Sequence, residues 1–155
     1  MPQTVIVTIN KTDAIKRFED AAWKLGRMLE QPQSVKQVWN LQADHEDNAD
    51  NDLMNASFDQ HLWEGVYIIS EYLASEPSYG TASHSSDFTI TLTMPSHWVI
   101  HSAPGLKYAM LELVHNGMMA DWLADMKPDQ AASYRKQAEL NKAQIQSIIY
   151  ALNAP

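Results

Sequence analysis

The chain has 155 residues, 45% of them hydrophobic and 19% charged, which fits one domain over 1–155 with a substantial core and excludes two ordinary domains. Its formal net charge is −8, and between Lys36 and Lys107 it has no Lys or Arg but ten acids, a segment that would repel the phosphates of a duplex and argues against sequence-specific nucleic-acid binding. It contains no cysteine, which removes disulfides, thiolate metal sites and cysteine nucleophiles together.

Met1 to Asn10 has neither a basic start nor a long apolar run, and no stretch approaches the roughly 18 to 20 apolar residues of a membrane span. A chain made in the cytoplasm, without membrane contact, is expected. Within this segment Val5, Val7 and Ile9 alternate with Thr4, Ile6 and Thr8, a branched run that predicts a strand over 4–9. Thr12 or Asn10 can cap the helix that follows. Ile15, Phe18, Ala22, Leu25 and Leu29 then recur at steps of three and four until Gln31-Pro32, predicting a helix over 13–30. Val35, Val38, Trp39 and Leu41 form a short amphipathic piece, and 43–52 reads as an acidic loop with Asp44, Glu46, Asp47, Asp50 and Asp52 as a candidate acidic surface.

From Asp52, the positions Met54, Phe58, Leu62, Val66, Ile69 and Leu73 predict a helix over 52–74, with Asn51 or Asp52 placed to accept its first amides. Residues 76–86, rich in Pro, Ser and Gly, read as a flexible loop. Phe88, Ile90, Leu92 and Met94 alternate with threonines up to Pro95, predicting a strand over 87–94. No hairpin turn adjoins it, so its expected partner is the distant strand 4–9.

The segment 105–126 is apolar around most of a helical circumference, which makes it central to the fold or shared with a neighbouring subunit. Met118, Met119, Trp122 and Met126 form a candidate interface on it, because methionines refit to varied partners, but core packing is the favoured account, since the helical periodicity already predicts it. Gly117 costs about 1 kcal/mol against Ala in a helix, so its presence implies either a close backbone approach or a break at Asn116-Gly117. Pro128 and Asp129 suit the first turn of a last helix, whose apolar stripe runs through Ala131, Tyr134, Ala138, Ile145, Ile148 and Leu152. The fold class expected is mainly α (α+β), a bundle of about four helices with a small β element from 4–9 and 87–94.

Three constellations bear on chemistry. Asp44 to Asn55 offers oxygen ligands in calcium-loop spacing but has Ala49 at the turn-glycine place and Asn55 at the bidentate-glutamate place, so a solvated loop is expected. His97 and His101 are four apart, yet Pro95 and Pro104 oppose the continuous helix that a zinc pair would need. Ser83, His84, Ser85, Ser86 and Asp87 contain triad residue types without a nucleophile elbow or an oxyanion turn. No catalytic residue, metal or cofactor is expected from these patterns.

The C-terminal third carries Asn116, then Asp121-Trp122, a break at Lys127-Pro128, a small-residue helix with Tyr134, and Ile149-Tyr150 before Pro155. With the preceding order of strand, helix, acidic loop, long helix containing Trp63 and strand, this pattern resembles small prophage-encoded head–tail connector or neck proteins of Bacteroides-type bacteria. The resemblance implies a non-enzymatic structural protein that joins copies of itself in a ring and contacts other head or tail proteins, residing in the virion once assembled. Where such proteins end in a basic tail, this chain ends Leu152-Asn-Ala-Pro155. Two alternatives stand beside it: a small metal-assisted or acid–base hydrolase using His97, His101 and nearby carboxylates, and a bacterial helical protein-binding module.

Overall fold

The computed structural model describes residues 2–28, 48–79, 87–124 and 127–150. Strand β1, Gln3–Asn10, runs directly into helix α1, Lys11–Met28. Asn10 makes the junction: its Oδ1 accepts the Asp13 N–H at 2.9 Å, capping α1, while its Nδ2 donates to Asp87 Oδ1 at 2.8 Å. Helix α2, Asn48–Ile68, is followed by a single 3-10 turn at Ser70–Tyr72 and the two-residue strand β2, Ser78–Tyr79. Strand β3, Asp87–Met94, leads through a second 3-10 turn, Ile100–Ser102, into helix α3, Ala103–Leu123, and helix α4 spans Pro128–Tyr150.

The sheet has the order β1-β3-β2, all antiparallel, with β1 and β3 paired along their full length from Gln3 opposite Met94 to Asn10 opposite Asp87. The distant pairing expected for 4–9 and 87–94 is the one observed. Alternation explains its faces: Val5, Val7 and Ile9 of β1 and Phe88, Ile90, Leu92 and Met94 of β3 are buried, and the threonines between them face outward. The mainly helical class with a small β element is likewise as expected.

Helix α3 is the centre of the molecule. It packs most extensively on α4, and also touches α2, β1 and α1. Twelve of its residues are buried, which its near-continuous apolar surface requires. Phe18 of α1 meets Trp122 edge to face, with centroids 6.4 Å apart and planes at 89°. Trp98, after β3, donates its indole N–H to the Ile148 carbonyl at 3.1 Å and so fastens the sheet exit to α4. Among the described residues, no helix is long and apolar enough to cross a membrane.

Several boundaries and assignments need correction. Residues 48–52 belong to α2, so Asn51 and Asp52 lie inside the helix instead of capping it, and the acidic loop expected over 43–52 loses its second half. The reason is that Asp and Asn suit helix starts as well as loops. Asp44, Glu46 and Asp47, like the amphipathic piece around Val35 to Leu41, lie outside the described residues. The α-helix ends at Ile68, six residues before the expected end at 74, because the chain tightens into the 3-10 turn. In the loop expected over 76–86, Ser78 and Tyr79 pair with β3, and 80–86 lie outside the described residues. Helix α3 continues through Asn116-Gly117 without a break. In α4 it is Ile149 that is fully buried, with Ile148 and Tyr134 partly so and Leu152 outside the described residues.

Candidate functional site

Helix α2 presents an apolar stripe to α3, and three polar residues interrupt it at helical spacing: Ser57, His61 and Glu64. Ser57 and His61 are nearly solvent-free. They are received by Asp121, near the end of α3. Its Oδ2 accepts from Ser57 Oγ at 2.7 Å and from His61 Nε2 at 2.8 Å, and the other ring nitrogen, Nδ1, faces Glu64 Oε1. Lys142 of α4 closes the set, with its ammonium 2.9 Å from Glu64 Oε2 and 3.0 Å from Glu139 Oε1. One polar chain thus crosses three helices.

Gly117 makes room for it. A Cβ at that position would lie 2.5 Å from His61 Cδ2 and Nδ1, closer than carbon and nitrogen can stand. The close approach expected at Gly117 is therefore real, and its partner is an imidazole.

The protonation of the cluster follows from its partners. A neutral imidazole has one N–H, whereas here both ring nitrogens face carboxyl oxygens. Burial alone would lower the pKa of His61, but the hydrogen bond and charge of Asp121, together with Glu64, outweigh it and raise it above 6.5. Burial would raise Asp121, and the hydrogen bonds from His61 and Ser57 reverse that, holding its carboxyl below 3.8. Lys142 is raised by its hydrogen bond to Glu64. The arrangement favours the doubly protonated imidazolium, which has an N–H for each of the two carboxyl groups. The Ser57 hydroxyl donates to Asp121, so it is oriented as a strut and not as a nucleophile activated by His61. The cluster opens on a cleft of about 220 Å³ that is also lined by Arg135 and Gln60.

A second histidine behaves oppositely. His115 of α3 lies beside Arg17, which bridges to Glu112 at 2.7 Å, and its Nδ1 is buried without a partner among the described residues. Burial, then the neighbouring guanidinium, lower its pKa to about 4 against the weaker pull of Glu112, so it stays neutral.

The residues singled out from the sequence are not brought together here. Met118, Met119 and Trp122 are at most 1% exposed and belong to the chain's own core, the favoured of the two accounts, and do not form the candidate interface; a helix that is apolar all round is central in this topology. Met126 lies outside the described residues. Asp50 and Asp52 sit in the first turns of α2. His97 and His101 are exposed, on a turn and on the Ile100–Ser102 segment, and share no continuous helix. Asp87 serves Asn10, while Ser83 to Ser86 lie outside the described residues. The His61 cluster was missed, although the spacing of Ser57, His61 and Glu64 on an apolar stripe, and the unexplained Gly117, were its available signals. Among the described residues, no group of three or more His, Asp or Glu is arranged to hold a metal. Comparison with protein-family models, with curated proteins and with solved structures found no match.

Proposed function

We propose that this chain is a structural component of a phage head–tail junction, a connector or neck protein that works by assembling with copies of itself and with head and tail proteins. One observation carries the reading: the residues on which the resemblance rests serve as joints between helices. Asn116 of α3 donates to Asn141 of α4 at 2.8 Å. Asp121 binds His61 of α2, Trp122 packs on Phe18 of α1, Ile149 is buried, and the Tyr150 hydroxyl donates to Glu71 at 3.0 Å. Such residues make a stiff building block. The acidic, Lys/Arg-free middle of the chain suits a conduit, because like charge lets DNA pass without adhering. The protein is then cytoplasmic when made and becomes part of the particle. The test is mass spectrometry of purified tailed particles from the source bacterium, in which the chain is expected at stoichiometry comparable with the portal protein. Its absence from particles whose head and tail proteins are detected would overturn the proposal.

Acid–base hydrolysis is a second reading, favoured by the cleft that His61 and Asp121 share with Arg135 and Lys142. It ranks lower because both imidazole nitrogens already face carboxylates, so a substrate would have to displace one. Hydrolysis of simple ester or phosphate probes that is lost in His61→Gln would favour it. Inactivity of the wild type on such probes would count against it.

A further inference from the structure

Residues 4–8 read Thr-Val-Ile-Val-Thr, a palindrome centred on Ile6. They lie in β1, the edge strand of the sheet, which is paired to β3 on one side and has no strand on the other among the described residues. Edge strands are ordinarily guarded by a Lys, a Pro, a bulge or a covering element. Within Gln3–Asn10 there is no charge and no proline, and the register with β3 runs unbroken. At the centre of the palindrome, Ile6 is 62% exposed on an outer face that is threonine-rich and ends in Asn10 and Asp87.

We infer that β1 pairs antiparallel with β1 of a second copy about a two-fold axis through Ile6, joining two three-stranded sheets into one of six strands. Antiparallel partners point to the same face of a sheet, so only registers that match inward with inward residues are allowed. The Ile6-centred register satisfies this. It sets Thr4 opposite Thr8, Val5 opposite Val7 and Ile6 opposite Ile6, so that every pair within the palindrome is like with like, while Gln3 faces Ile9 at each end. The helices of both copies then lie on the same side of the joint sheet. A chain of net charge −8 resists self-association in general, and β1 is a stretch where two copies meet without opposing charges. The pairing requires no phage partner, so it stands or falls separately from the connector reading.

The test exploits the absence of cysteine, since an introduced thiol is the only one in the chain. Directly opposed residues in an antiparallel pair have Cα atoms about 4.5 to 5.5 Å apart, within the disulfide range of about 4.4 to 6.8 Å. Under mild oxidation, Ile6→Cys is expected to form a covalent dimer rapidly. Thr4→Cys alone should not, whereas Thr4→Cys mixed with Thr8→Cys should form the heterodimer. By light scattering across a concentration series, the wild type should pass from monomer to dimer, and Ile6→Lys should raise the dissociation constant about tenfold or more with an unchanged monomer circular-dichroism spectrum. The inference is overturned if the wild type stays monomeric and Ile6→Cys crosslinks no faster than Thr4→Cys. It is equally overturned by a dimer that Ile6→Lys leaves intact and in which a thiol at position 6 stays reduced.

Discussion

Gly117→Ala should destabilise the protein even though alanine is the better helix former. On an exposed helix the substitution gains about 1 kcal/mol. Here the new methyl would fall 2.5 Å from two atoms of the His61 ring, whose side chain is enclosed between α2 and α3. Relief requires the imidazolium to move off Asp121 and Glu64. Breaking a buried ion pair costs about 3 to 5 kcal/mol, and because the two carboxylates retain some solvent the lower end applies. Subtracting the propensity gain leaves a net loss of about 2 kcal/mol, or roughly 4 to 8 °C in melting temperature for a chain of this length. Thermal unfolding followed by circular dichroism measures it. The double variant is decisive: with His61→Ala there is no ring to strike, so adding Gly117→Ala should become neutral or stabilising. Equal losses from Gly117→Ala in the two backgrounds would refute the steric account.

Buried His61 and half-buried His115 should give opposite pH dependences of stability on the two sides of about pH 6.5. His61, raised above 6.5, contributes stability that is complete below that pH and fades as pH rises through its folded value; Asp121, held below 3.8, keeps its share until strong acid. His115, lowered to about 4, resists a proton that the unfolded chain accepts, so stability falls between pH 6.5 and 4, by at most about 3 kcal/mol. Melting profiles of His61→Gln and His115→Gln should therefore flatten on the alkaline and acid sides respectively, and unchanged slopes would count against the assigned charge states. Trp122→Ala should cost about 3 to 5 kcal/mol of folding stability, as its side chain is 1% exposed against Phe18; a normal unfolding midpoint would remove it from the core. Zinc or calcium at modest excess should leave the melting temperature unchanged, and a rise of several degrees with either ion would reveal a site at His97/His101 or in the Asp44–Asn55 segment.

The two long strands and their pairing were legible because alternation marks each one, and the absence of a hairpin turn beside either leaves only a distant partner. The start of α2 was not, since the acids that read as loop are equally good helix openers. The close approach at Gly117 could be inferred from its cost, but its partner could not: His61 lies on another helix, and only packing brings the two together. The same limit explains Met118, Met119 and Trp122. Periodicity shows that α3 is apolar all round without saying whether the covering surface is its own chain or another, and α1, α2, α4 and β1 supply that cover.

The pairing of β1 with β3 also governs how the chain must be made. Asn10 meets Asp87, 77 residues further along, so β1 is complete long before its partner exists. At roughly 5 to 20 residues per second of synthesis, it waits about 4 to 15 s with both edges open. Closing so long a loop is also entropically slow, which delays the sheet relative to the helices. During that interval the neutral Thr-Val-Ile-Val-Thr stretch is displayed by every nascent chain on the same message, side by side, so the ribosome-bound stage is when strand pairing between copies competes most directly with folding.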